Sequence, residues 1–101
     1  MRTDEIKIAL ISHSLGGGGA ERAAGMLSKL LSDDGFDVHN IIINDRVDYE
    51  FGGSLLNLGK IRHAFPFFAK ITKAITLRNY LKKNKFSYII DNRARNSFLR
   101  D

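Results

Sequence analysis

Four consecutive glycines, Gly16 to Gly19, separate an apolar run from a helix-like pattern in IALISHSLGGGGAERAAGMLSKLL, Ile8 to Leu31. Glycine loses more backbone freedom on folding than any other residue, so four in a row call for a physical reason. A loop that leaves the carboxyl end of a parallel strand and enters a helix presents free backbone N–H groups and the positive end of the helix dipole. That is a favoured setting for phosphate. Glycine in such a loop lets the backbone approach a diphosphate or a sugar closely. Two known phosphate-binding patterns do not fit. The Gly-x-x-x-x-Gly-Lys-Ser/Thr loop is absent, and in Gly-x-Gly-x-x-Gly the third position is Glu21, although Gly16 and Gly18 match. Glu21 suits the helix dipole but would repel a phosphate set directly above it. The competing reading is a flexible tight turn.

Other residues fall at places where ligands bind. His13 ends the first apolar run and either touches an acceptor or caps a loop. Asp91, Arg93 and Arg95 follow the last apolar run, FSYIID. An arginine at such an edge can hold a phosphate bidentately, and an Asp–Arg pair or a solvated loop accounts for the same residues. Asn44 and Asp45 occupy the place of a ribose-binding acid, a role weakened by the broken fingerprint. No His-x-x-x-His or Glu-x-x-His pair occurs among the three histidines, and there is no cysteine. No metal site is therefore expected, and disulfides are excluded.

The elements that would position these residues follow from periodicity. IKIALIS, Ile6 to Ser12, reads as a buried parallel strand. Ala20, Ala23, Ala24, Leu27, Leu30 and Leu31 have helical spacing, and Gly35 is placed to cap that helix. Asp37 to Asn44 is a second strand, which completes a βαβ unit with a right-handed crossover. Gly52-Gly53-Ser54 marks a turn before a short third strand, SLLNL. Phe65 to Asn84 is a second helix with Pro66 in its first turn. Phe67, Phe68, Ile71, Ala74, Ile75, Leu77 and Leu81 are read as one broad stripe packed on the sheet. Arg78, near the middle of that stripe, calls for an acidic partner. Phe86 to Asp91 is the fourth strand. The fold class is thus α/β: a partial, doubly wound, mainly parallel Rossmann-like sheet in the order β-α-β-β-α-β. Two helices cover such a sheet poorly, so residues 1–101 are read as part of a larger domain.

At 101 residues, with 44% hydrophobic and 27% charged, the chain has the length and composition of one small domain. The opening MRTDEIKIALIS reads as a first strand and not a signal peptide, and no apolar run reaches the roughly 20 residues of a membrane span. Charge is unevenly divided. Residues 1–59 hold five Lys/Arg against nine Asp/Glu, net −4, and residues 60–101 hold eleven against two, net +9. The basic half suits an anionic partner: a membrane surface, nucleic acid or a phosphorylated ligand. Lys70, Lys73, Arg78, Lys82, Lys83 and Lys85 with Phe65, Phe67 and Phe68 would let the second helix lie on anionic lipid. A core helix with solvated lysines explains the same pattern. Tyr80, Phe86 and Tyr88 do not make a stacking platform, so nucleic acid is not expected.

SLGGGGAERAAGMLSKLLSDDGFDV, Ser14 to Val38, resembles the start of the family-4 glycosyltransferases, retaining enzymes of the GT-B fold. Gly18-Gly19-Ala20-Glu21-Arg22 match the family's loop letter for letter, and Gly35 falls before the second strand as it does there. The resemblance implies an N-terminal Rossmann-like domain that faces a second domain across a cleft. That second domain, absent here, would hold most of the nucleotide-sugar donor. Gly17, Gly18 and Gly19 would reach the donor diphosphate or sugar, with Glu21 and Arg22 behind them, and His13 and Arg93 join the expected substrate-binding set. No catalytic residue is assigned within the chain, and no cofactor or metal is implied. The acceptor would be a glycan or a lipid-linked glycan. The setting would be cytoplasmic, peripheral at the inner face of the cell membrane. Residues 1–101 alone are expected to be inactive and to pair as a homodimer. The competing function is a non-catalytic module that binds phosphate, nucleotide or a membrane surface.

Overall fold

A computed structural model of the chain describes residues 6–61 and 65–94. Within them run β1 (Lys7–Ser12), α1 (Gly19–Asp33), β2 (Asp37–Ile42), β3 (Ser54–Asn57), α2 (Pro66–Asn84) and β4 (Tyr88–Asp91), with 3₁₀ turns at Leu58–Lys60 and Asn92–Ala94. The four strands form one sheet in the order β3-β2-β1-β4, and every pairing is parallel. The α/β, Rossmann-like class expected from periodicity is the one observed. The strand predictions ran two residues too long at the end of β2 and at the start of β4, and one residue too long at the start of β1 and the end of β3. Arg95 lies outside the described residues.

Alternation along β1 shows why Ile8 to Ile11 are all apolar. Ile8 and Leu10 join Val38 of β2 and Leu27, Leu31 and Phe36 on the α1 side. Ala9 and Ile11 join Ile41, Leu58, Leu77, Tyr80, Leu81 and Phe86 on the α2 side. A strand covered on both faces is apolar along its middle. His39 faces α2 as well, with its Nδ1 2.6 Å from the Tyr80 hydroxyl and its ring edge-on to Phe86. Burial raises the Tyr80 phenol above its ordinary value, although a hydrogen bond from Ser54 opposes this.

Helix α1 ends as the glycine at 35 predicts. Gly35 adopts φ 97°, its N–H donates to the Ser32 carbonyl, and the Phe36 N–H reaches back to Leu31. Those two bonds, with Phe36 and Leu31 in one apolar cluster, make a Schellman cap. No helix joins β2 to β3. Residues 43–53 instead cross over α1, where Gly25 makes room: a methyl there would stand 2.6 Å from the Glu50 carbonyl oxygen. Ser28 bridges the two, donating to the Gly25 carbonyl and accepting from the Gly52 N–H. Buried Asn40 fastens the far end, its amide donating to the carbonyls of Gly52 and Ser54.

The single stripe expected of α2 divides in two. Leu77, Tyr80 and Leu81 pack on the sheet, whereas Phe67, Phe68, Ile71 and Ile75 are exposed. At 3.6 residues per turn these sets fall on opposite sides of the helix, and only one side can meet β1 and β2. Arg78 lies exposed and has no ion pair with a described residue, so the expected acidic partner is not found there. Tyr88, Ile89 and Ile90 of edge strand β4 are exposed too.

Candidate functional site

Strand order 3-2-1-4 fixes where a ligand can enter. The chain moves from β1 outward through β2 to β3, then returns through α2 to the other side of β1. The carboxyl ends of β1 and β4 therefore flank a topological switch point, the usual crevice of open α/β sheets. Two segments meet there: His13 to Gly19 after β1, and Asn92 and Arg93 after β4.

The glycine loop is strapped down from one side. Leu15 forms a parallel bridge with Val47, donating to the Arg46 carbonyl and accepting from the N–H groups of Asp48 and Tyr49. Ser14 turns the chain, its hydroxyl bonding the Gly16 carbonyl. The Tyr49 hydroxyl donates to the Gly17 carbonyl at 2.7 Å, and the Arg22 guanidinium sits over the Tyr49 ring. Sequence reasoning missed Arg46, Asp48 and Tyr49, because nothing local in DRVDYE marks it as the partner of a loop thirty residues earlier.

This strapping separates the four glycines. A methyl at Gly16 would lie 2.5 Å from the Asp48 carboxylate, so that position is small for packing. Gly17 has φ 89°, which disfavours any side chain. Gly18, the residue that caps α1, faces only the Glu21 carboxylate, and Gly19 has nothing within 4 Å. Packing thus explains Gly16 and backbone conformation explains Gly17, whereas Gly18 meets only a flexible carboxylate and Gly19 stands open at the helix N-terminus.

Beside Gly19 a groove of about 290 Å³ runs along the start of α1, lined by Ala20, Ala23, Ala24, Leu27 and Asn92. His13 is exposed next to the switch point, with its backbone carbonyl accepting from Ile43 and Asn44. Arg93 is paired with Asp91 through Nε and Nη2 at 3.0 and 2.8 Å. The paired guanidinium holds the Asp91 carboxyl below the usual carboxylate range. Partial burial opposes this, and the Arg93 amide and the charge of nearby His13 add to the lowering. The same pairing raises Arg93 further above its already high value. The structure thus brings His13, the Asp91–Arg93 pair and the Gly18–Gly19 backbone to one edge. Asp45 is occupied elsewhere, accepting from the Asn57 amide.

No three His, Asp or Glu side chains cluster as metal ligands among the described residues, and no helix among them is long and apolar enough to cross a membrane. No protein-family model matches the chain, and no curated protein matches it.

Proposed function

We propose that the chain forms the N-terminal side of the cleft of a GT-B glycosyltransferase, which moves a sugar from a nucleotide donor to a glycan or lipid-linked acceptor. One observation carries the reading. Gly18 and Gly19, the pair inside the Gly-Gly-Ala-Glu-Arg match, are exposed, require no left-handed backbone and would bring an added methyl against nothing but the flexible Glu21 carboxylate, and they open α1 at the switch point. Both are exposed at a helix start with no side-chain cap, the dipole end that favours a diphosphate. His13 and the free edge of Arg93 would meet the sugar or the acceptor. A second, facing domain would supply most of the donor contacts and the catalytic groups. The uncovered apolar residues of α2 and β4 fit a domain that has further neighbours.

The test compares the 101-residue chain with its Gly18→Val variant. On this reading the chain binds uridine or guanosine diphosphate at millimolar strength, about −4 kcal/mol, and transfers no sugar. Gly18→Val folds and loses that binding. Undiminished binding by the folded variant would sink the role given to the loop. Micromolar binding by the unaltered chain would favour the alternative, a self-contained nucleotide-binding module.

A further inference from the structure

A second groove, of about 140 Å³, opens on the other side of the switch point, between α2 and the ends of β2 and β4. It is lined by Ile43, Lys70, Lys73, Ala74, Leu77 and Arg93. Three of these six side chains are cationic and none is acidic. Asn92 and Arg93 are adjacent in the chain, and each lines a different groove. We propose that the α2-side groove is a phosphoryl-binding subsite that holds a phosphate group of the acceptor.

A solvated basic helix face would carry its lysines outward, with their charged ends in water. This groove differs in two respects. The Lys73 ammonium turns inward and donates to the Ile43 carbonyl at 3.1 Å, which fixes it beside the end of β2. The Arg93 guanidinium is held flat by Asp91, so its position is set before any ligand arrives. Arg93 uses Nε and one N–H of Nη2 on Asp91, and its remaining N–H groups make no hydrogen bond to a described residue. Lys70 has no ion pair with a described residue. Asp91 offsets one of the three positive charges, so an excess of about two remains, matched to a phosphoryl dianion. Ile43, Ala74 and Leu77 supply an apolar floor, where charge–charge attraction is less weakened than in open water. A volume of about 140 Å³ suits a phosphoryl group and not a whole nucleotide.

Phe67 and Phe68 are exposed on the turn that precedes Lys70, with ring centroids 5.8 Å apart. They lie on the side of α2 away from Leu77, so they give a lipid an apolar landing on the helix but do not line the groove. A soluble phosphorylated sugar would use the cations alone. As an acceptor subsite the groove rests on the sugar-transfer reading. As a phosphate site it does not.

The 101-residue chain, labelled with ¹⁵N, is titrated with inorganic phosphate against chloride at constant ionic strength. The expected result is saturable shifts at the Lys70, Lys73 and Arg93 amides, at millimolar phosphate. Lys70→Gln, a surface change that leaves the fold intact, weakens binding severalfold, and Lys70→Gln with Lys73→Met weakens it about tenfold or more. Gly18→Val leaves it unchanged, so this site and the donor loop fail separately. Absence of saturation, saturation unaffected by Lys70→Gln, or shifts confined to Gly16–Glu21 would each overturn the proposal. A second arm identifies the source of the phosphate. Flotation with phosphatidylcholine vesicles carrying phosphatidic acid, against phosphatidylserine at matched charge, favours phosphatidic acid if the ligand is a lipid phosphate. Equal flotation alongside saturable binding in solution assigns a soluble phosphorylated acceptor.

Discussion

Alanine at Gly17 and alanine at Gly19 should move stability in opposite directions, and only the second should report on ligand. Gly17 sits at φ 89°, where a Cβ costs about 1–2 kcal/mol. The new methyl would also lie 3.3 Å from the Arg46 guanidinium, the far end of a flexible side chain that gives way cheaply. Gly17→Ala should therefore lower stability by about 1–2 kcal/mol, or about 4–8 °C in Tm for each kcal/mol in a domain this small. Gly19 is the first residue of α1, and an added Cβ has no heavy atom within 4 Å. Alanine there restricts the unfolded chain and favours the helix, so stability should rise by about 0.4–1 kcal/mol. On the donor-loop reading the same methyl stands between the helix N-terminus and a diphosphate, so binding should fall although the fold is firmer. Urea unfolding followed by circular dichroism gives the first quantity, and saturation-transfer NMR with uridine or guanosine diphosphate gives the second. A Gly19→Ala chain that is more stable and binds as before would refute the argument that ligand approach explains this glycine. A neutral Gly17→Ala would refute the claim that backbone conformation explains the other.

Asp91→Asn should alter the acid limb of stability. The folded Asp91 carboxyl is held below its ordinary value by Arg93, so its contribution is present above the unfolded value of about 3.9 and is lost as pH falls through the folded value. The variant should be less stable near neutrality by a modest amount, since the pair is one-third exposed, and should lose less stability on acidification. Urea midpoints at a series of acidic pH values check this, and parallel curves for the two proteins would count against it. Asn40→Leu removes two donors from the carbonyls of Gly52 and Ser54 in a buried setting. A loss of about 2–3 kcal/mol is expected, with faster amide exchange in the residue 43–53 crossover and at Gly17, which Tyr49 reaches from that crossover. Phe68→Ser with Ile75→Ser should shift the chain from dimer toward monomer in sedimentation equilibrium, because both residues lie on the uncovered side of α2. An unaltered chain that is monomeric at tens of micromolar would remove the premise.

Periodicity carried the fold where two faces impose different demands. IKIALIS can only be a doubly covered strand, and the glycine at 35 can only end a helix, so β1, α1 and β2 were legible. The crossover at residues 43–53 was not. Its form depends on Gly25 being small, on Ser28 bonding both ways and on Asn40 holding two carbonyls. Each is a contact across many residues and leaves no local pattern. The two-sided nature of α2 was hidden for a related reason: a helix whose apolar and basic residues are interleaved around its axis has no single stripe to point at the sheet. Only the packing of Leu77, Tyr80 and Leu81 shows which side faces inward.

The glycine run joins these two kinds of information. Read as letters, Gly16 to Gly19 is one feature with one explanation. In the fold it is two features, because the Leu15–Val47 bridge brings Asp48 against Gly16, Arg46 beside Gly17 and the Tyr49 hydroxyl onto the Gly17 carbonyl. The first pair is consumed by holding the loop in place. The second pair, inside the Gly-Gly-Ala-Glu-Arg match, is held at the switch point with its backbone uncovered. On the donor-loop reading, the same strap explains why more glycines stand here than such a loop needs. The surplus fits the loop to its support, and on that reading the remaining pair is the one a ligand meets.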